Sequence, residues 1–138
     1  LTIARAAVVV MAPILVAAAV AFAATRGGDA GNERTITIHF SQFAPGAITL
    51  PAGEPVTIRL VNDDPIGHEW IVGTDDVHAR HRTGTEPYHD SIPTEVTIDA
   101  FETRETTITF DEPGEYAFIC HLPGHEAYGM AGTIRVES

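Results

Sequence analysis

From Thr35 onward, short runs of the chain alternate apolar and polar residues with a period of two, and turn-forming residues separate the runs. This pattern limits the fold more than any other feature, because successive side chains of a strand point to opposite faces. "TITIHF" (35–40) places Ile36, Ile38 and Phe40 on one face and Thr35, Thr37 and His39 on the other. "VTIRLVN" (56–62) sets Val56, Ile58, Leu60 and Asn62 on one side. Further strands are expected at 47–50, 68–73, 95–101, 105–110, 115–121 and 132–137. "PAGEP", "DDPIG" and "DEPG" carry the Pro, Gly and Asp that turns use. Short strands in this number predict an all-β fold, an antiparallel β-sandwich over residues 34–138. Helical periodicity is absent from that region beyond a turn or two within 74–94.

The first 26 residues are of another kind. Residues 6–24, "AAVVVMAPILVAAAVAFAA", contain no charge. As a helix they would extend about 29 Å, close to the hydrocarbon thickness of a bilayer. Signal-peptide cores usually run to about 7–15 residues. Residues 1–26 are therefore expected to form an N-terminal hydrophobic helix that directs export, kept as a membrane anchor rather than cleaved. Ala21, Phe22 and Ala23 nevertheless offer the small-residue pattern of a cleavage site. Residues 27–33 read as a flexible polar linker, leaving the sandwich on the periplasmic or extracellular face of the cytoplasmic membrane.

Charge separates the two parts as sharply as hydropathy does. All 19 carboxylates lie from Asp29 to Glu137, where they face six arginines and no lysine. So acidic a domain does not bind nucleic acid or anionic lipid through its net field, and it favours basic partner surfaces.

Export permits disulfides, but Cys120 is the only cysteine and cannot form an internal one. Its surroundings, "CHLPGHEAYGM" (120–130), suggest another use. Cys120 stands at a strand end on the face of Tyr116 and Phe118. His125 follows after four intervening residues, and Met130 after four more. "LPG" provides a turn and Gly129 provides slack, so a thiolate, an imidazole and a thioether can converge. His68, at the start of a strand just after "DDPIG", supplies a second imidazole. Two His, one Cys and a weakly held axial Met form the donor set of mononuclear blue-copper electron-transfer sites. Taken singly, each residue has a blander explanation: a lone buried Cys is usually a small apolar residue, and Met130 and Trp70 could be core. The combination is what points to copper.

The segment "EYAFICHLPGHEAYGMAG" resembles the copper loop of the cupredoxins, of the rusticyanin-like and plastocyanin-like kinds, and "FAPGAITLPAGEPVTIRLVNDDPIGHEW" resembles their earlier half. The resemblance covers about residues 34–138. It implies a Greek-key sandwich holding one type 1 copper ion through His68, Cys120, His125 and Met130. The role it implies is single-electron shuttling between redox proteins such as a cytochrome, an oxidase or another copper protein, with the solvent-near edge of His125 as the exit. A monomer is expected, and no enzymatic activity of its own. In two places the sequence departs from the family. Glu69 stands where many members have Asn or Ser, and His121 stands where Ser or Thr often follows the Cys.

Two other functions fit these residues less well. A copper carrier or storage protein binding Cu(I) would favour several Met or Cys, whereas this chain has Met11, Met130 and one Cys. A copper oxidase component of the multicopper type needs His-x-His pairs, and the seven histidines are never two apart. The interval 74–94 also holds His78, His81 and His89 among Asp75, Asp76 and Asp90. It is expected to be a solvated loop with exposed histidines rather than a second metal site. His39 is expected at the surface.

Overall fold

The computed structural model describes residues 31–87 and 92–138. The expected N-terminal helix, residues 27–30 of the linker and His89 lie outside the described residues. Two sheets face each other. The first has the order β2–β1–β4–β7, from Gln42–Ala44, Glu33–His39, Val56–Asn62 and Thr103–Ile108. The second has the order β3–β9–β8–β5–β6, from Ala47–Pro51, Ala131–Glu137, Gly114–Ile119, His68–Gly73 and Glu95–Ile98.

The alternation read from the sequence becomes the core. Ile36 and Ile38 of β1, and Val56, Ile58, Leu60 and Asn62 of β4, are all buried. Opposite them lie Ile48, Leu50, Trp70, Val72, Ile98, Phe118, Ile134 and Val136. Each such aliphatic side chain, fully buried, contributes roughly 1.5–3 kcal/mol relative to an exposed one. Phe118 packs edge-on against Phe43 with ring centroids 5.2 Å apart, which is a favoured aromatic geometry. The core therefore runs the length of the sandwich and ends at one rim, where Cys120 and Met130 are both fully buried.

Most strand pairs are antiparallel, as the alternating pattern implied. β1 and β4 are parallel, however, and so are β3 and β9. Between β1 and β4 the chain crosses to the other sheet to lay down β3, and it re-enters running in its first direction. A parallel pair needs such a crossover.

Two local expectations change. Phe40 does not continue the buried face of β1. The strand ends at His39, and Phe40 and Ser41 take left-handed backbone angles (φ 52° and 54°). Phe40 is turned out, 81% exposed, and Phe43 of β2 enters the core instead. The interval after β5 is not an open loop either. Asp75–Thr83 forms an α-helix, α1. Its first turn carries Asp75 and Asp76 and its last carries Arg80, His81 and Arg82, which complements the helix dipole at both ends. Gly73 lets α1 lie on the sheet, since a Cβ there would come 2.7 Å from that of Val77. The face that α1 turns inward carries His78, 1% exposed. The expectation of exposed histidines therefore fails for His78, because the helix presses it against β8, and for His81, whose side chain is mostly buried.

Candidate metal centre

β8 ends at Ile119, and the chain turns back toward β9 within eleven residues. Backbone bonds fix that turn. Cys120 N–H donates to Met130 O at 3.2 Å, and Met130 N–H donates to His125 O at 3.0 Å. Between them Glu126–Tyr128 forms one 3-10 turn. It closes at Gly129, whose φ of 91° suits glycine. The loop is thus a tied hairpin end that holds Cys120, His125 and Met130 in fixed relation. β5 begins at His68, beside β8 in the same sheet, and brings the fourth residue to the rim.

The side chains converge as expected. His68, Cys120 and His125 each offer an atom within 4.8 Å of the others. His125 Nδ1 lies 3.2 Å from Cys120 Sγ and 3.3 Å from His68 Nδ1. His68 and Cys120 are fully buried, and His125 is half-buried. Met130 is fully buried beside them, in the same core cluster as Cys120. A thiol and two imidazoles meeting at one buried point, with a thioether at hand, fit a copper ion better than a hard cation, which would call for oxygen donors.

The group that holds this geometry is one that the residue pattern does not single out. Asp64, 5% exposed, accepts a bond from His68 Nε2 at 3.0 Å. It also accepts the N–H groups of Phe40 and Ser41, each at 2.7 Å. Burial alone would raise its pKa, but the bonds from Ser41, Phe40 and His68 outweigh burial and hold it below the ordinary carboxylate value. The ionised Asp64 fixes His68 with its proton on Nε2 and leaves the Nδ1 lone pair facing Cys120 and His125. Ligating histidines commonly have a carboxylate or carbonyl partner of this sort. Asn62 supports Asp64 in turn, accepting its N–H at 3.0 Å and donating to Ile66 O and Asp99 O. "NDD" before the first His was the available sequence signal, but nothing in it marks which Asp turns inward.

Protonation follows burial. Desolvation, with the neighbouring His125, pushes His68 down against the opposing pull of Asp64, so it is neutral near pH 7. Burial pushes the Cys120 thiol up. Metal binding must therefore displace a proton from sulfur, as is usual for thiolate ligands. Glu69 N–H donates to Cys120 Sγ at 3.4 Å. The main chain thus contacts the sulfur at the position where the side chain departs from the family. His121, the other departure, points away from the converging donors and meets His78, with Nε2 2.9 Å from His78 Nδ1. Burial and the neighbouring His78 lower its pKa to about 4. His39 is at the surface as expected.

Replacing Asp64 by Asn removes the charge and keeps the shape. The metal-free variant should lose about 2 kcal/mol of stability in urea unfolding, and its copper affinity should fall roughly tenfold or more by chelator competition. The sign with pH is defined, because a carboxylate whose pKa is depressed in the fold stabilises it above its unfolded value. That contribution is complete above about pH 3.8 and is lost as pH falls through the folded value. The difference between wild type and Asp64→Asn should therefore narrow in acid.

Known proteins share both the sequence and the architecture. A family profile described as a cupredoxin-like domain matches residues 12–136. The copper-resistant cuproprotein CopI of Rubrivivax gelatinosus is 31% identical over 118 residues, covering 80% of this chain and 72% of that protein. Auracyanin-B of Chloroflexus aurantiacus is 33% identical over 109 residues, 68% of this chain and 46% of that protein, so the match spans under half of it. Among solved structures, the reduced auracyanin of Roseiflexus castenholzii superposes with a TM-score of 0.67 at 22% identity. It covers 79% of this chain and 99% of the other, a likeness of fold. By sequence, sandwich topology and the placement of its four donors, this chain belongs to the cupredoxin family.

Proposed function

We propose that this chain is a type 1 copper protein that passes single electrons between redox proteins, and that His68, Cys120, His125 and Met130 would hold the copper ion. The observation that carries the proposal is the convergence of one thiol and two imidazoles at a buried point whose ring orientations are already fixed. Bound copper supplies a one-electron couple. The protein's part is to keep the donors in place whichever oxidation state is present. Asp64 holds His68, the hairpin bonds hold His125, and Glu69 N–H steadies the sulfur. His125, half-buried where His68 is fully buried, provides the shorter route to the surface.

A second reading, copper carriage, is favoured by one observation: the relative that is 31% identical over 118 residues is named for copper resistance. Carriage predicts a site that prefers Cu(I) and gives it up easily. The two are separated by titrating the metal-free full chain with Cu(II), alongside Cys120→Ser. Electron transfer predicts an intense visible band at one equivalent, absent in the variant and bleached and restored reversibly by reductant and oxidant. A colourless protein, or one that binds Cu(I) and never oxidises cleanly, would move carriage to first place.

Export, with residues 6–24 as anchor, belongs to the same proposal and is supported by the uncharged run. Docking is proposed to use the acidic surface against a basic face of the partner. Its rate with a basic redox partner should fall steeply between low and physiological salt, in stopped-flow measurements. A rate indifferent to salt contradicts electrostatic docking.

A further inference from the structure

His78 and His121 form a second cluster of nitrogen donors that the first site does not use. His78 comes from α1, is 1% exposed, and points Nδ1 at His121 Nε2 across 2.9 Å. The outer nitrogen of each ring has its own acceptor. His78 Nε2 lies 3.3 Å from the carbonyl oxygen of Ala117, and His121 Nδ1 lies 3.5 Å from a carboxylate oxygen of Glu126. A carbonyl and a carboxylate can only accept, so these neighbours favour the tautomer with the proton on the outer nitrogen of each ring. With both outer nitrogens protonated in neutral rings, the two inner nitrogens present lone pairs to each other at 2.9 Å, and either a shared proton or a bound cation would hold them together. Imidazoles that ligate metals are oriented in this way, the outer N–H bound to a carbonyl or carboxylate and the inner nitrogen free.

We propose that His78 Nδ1 and His121 Nε2 form a second metal site, for a divalent ion of the imidazole-seeking class, separate from the donors of the first. With metal–nitrogen bonds of about 2.0–2.1 Å, a 2.9 Å separation subtends roughly a right angle at the ion. That angle suits tetragonal Cu(II), which also stands above Zn(II) in intrinsic affinity for nitrogen donors. Water completes the coordination. The surroundings favour the pair. His81 stacks on the His121 ring, with centroids 5.3 Å apart and planes 18° apart. Arg82, whose charge acts on both rings, is held by Glu126 through three contacts of 2.6–3.0 Å. The site lies one peptide bond from Cys120, yet its donors face the opposite side of β8.

The test is copper stoichiometry with electron paramagnetic resonance on the full chain, titrated with Cu(II) beyond one equivalent. The expected result is a second equivalent with the wide hyperfine splitting of ordinary tetragonal copper and coupling to two nitrogens. His78→Gln should weaken that equivalent roughly tenfold or more and leave the visible band of the first unchanged. His121→Gln should do the same and serves if the buried His78 variant does not fold. If the second signal survives in both variants, copper is held adventitiously at the surface and the proposal is overturned. Saturation at one equivalent also overturns it and makes the pair an ordinary hydrogen bond with a shared proton. The outcomes are independent of the first site: a second signal that depends on His78 and His121 would stand even if the visible band never appeared.

Discussion

A buried carboxylate, Asp64, is the point on which the functional end of this sandwich depends. Its oxygens accept from His68 and from two successive main-chain N–H groups, those of Phe40 and Ser41. Its carbonyl accepts from Phe101 N–H at 3.1 Å. Phe40, Ser41 and Phe101 are the three non-glycine residues with positive φ among the described ones. Left-handed backbone costs about 1–2 kcal/mol per residue outside glycine, and at Phe40 and Ser41 the hydrogen bonds to an ionised acceptor are strong enough to offset it. One side chain thereby fixes the first imidazole and ends β1. The main-chain carbonyl of the same residue ties the turn before β7, so the ligand geometry belongs to the frame of both sheets rather than to a free loop.

The same principle explains why the donors come from two places in the chain. Cys120, His125 and Met130 sit on one tied hairpin end, and His68 begins the strand that flanks β8. A rigid rim suits the proposed electron-transfer role, because a geometry already close to both oxidation states would leave little to rearrange when an electron arrives. The pK of the free thiol and the neutrality of His68 both follow from removal from water. The protein thus gives up solvation of its ligands and recovers it through the metal.

Much of this was legible in the residues. Period-two alternation located the strands, and β4 and β5 fall at the expected bounds, Val56–Asn62 and His68–Gly73. The four donors stood out because soft ligands are rare in this composition and their spacing suits a strand end and a tight turn. What the sequence concealed has physical causes. The helix Asp75–Thr83 buries a histidine instead of an aliphatic stripe, so hydrophobic periodicity carries no signal for it; only its charged ends and Gly84 hinted at it. Phe40 looked like the next core residue because alternation cannot foresee a left-handed turn, which here is imposed by an aspartate 24 positions away. The parallel pairs β1–β4 and β3–β9 depend on which sheet receives β3. That is settled by packing between layers and not by any local pattern.

If one sulfur and two imidazoles hold a single copper ion at the rim, X-ray absorption at the copper edge will show them in the full chain loaded with one equivalent, oxidised and reduced. One short copper–sulfur contact and two imidazole nitrogens are expected in both states, with bond lengths changing little between them. A first shell without sulfur, or one that loses a nitrogen on reduction, would overturn the assignment.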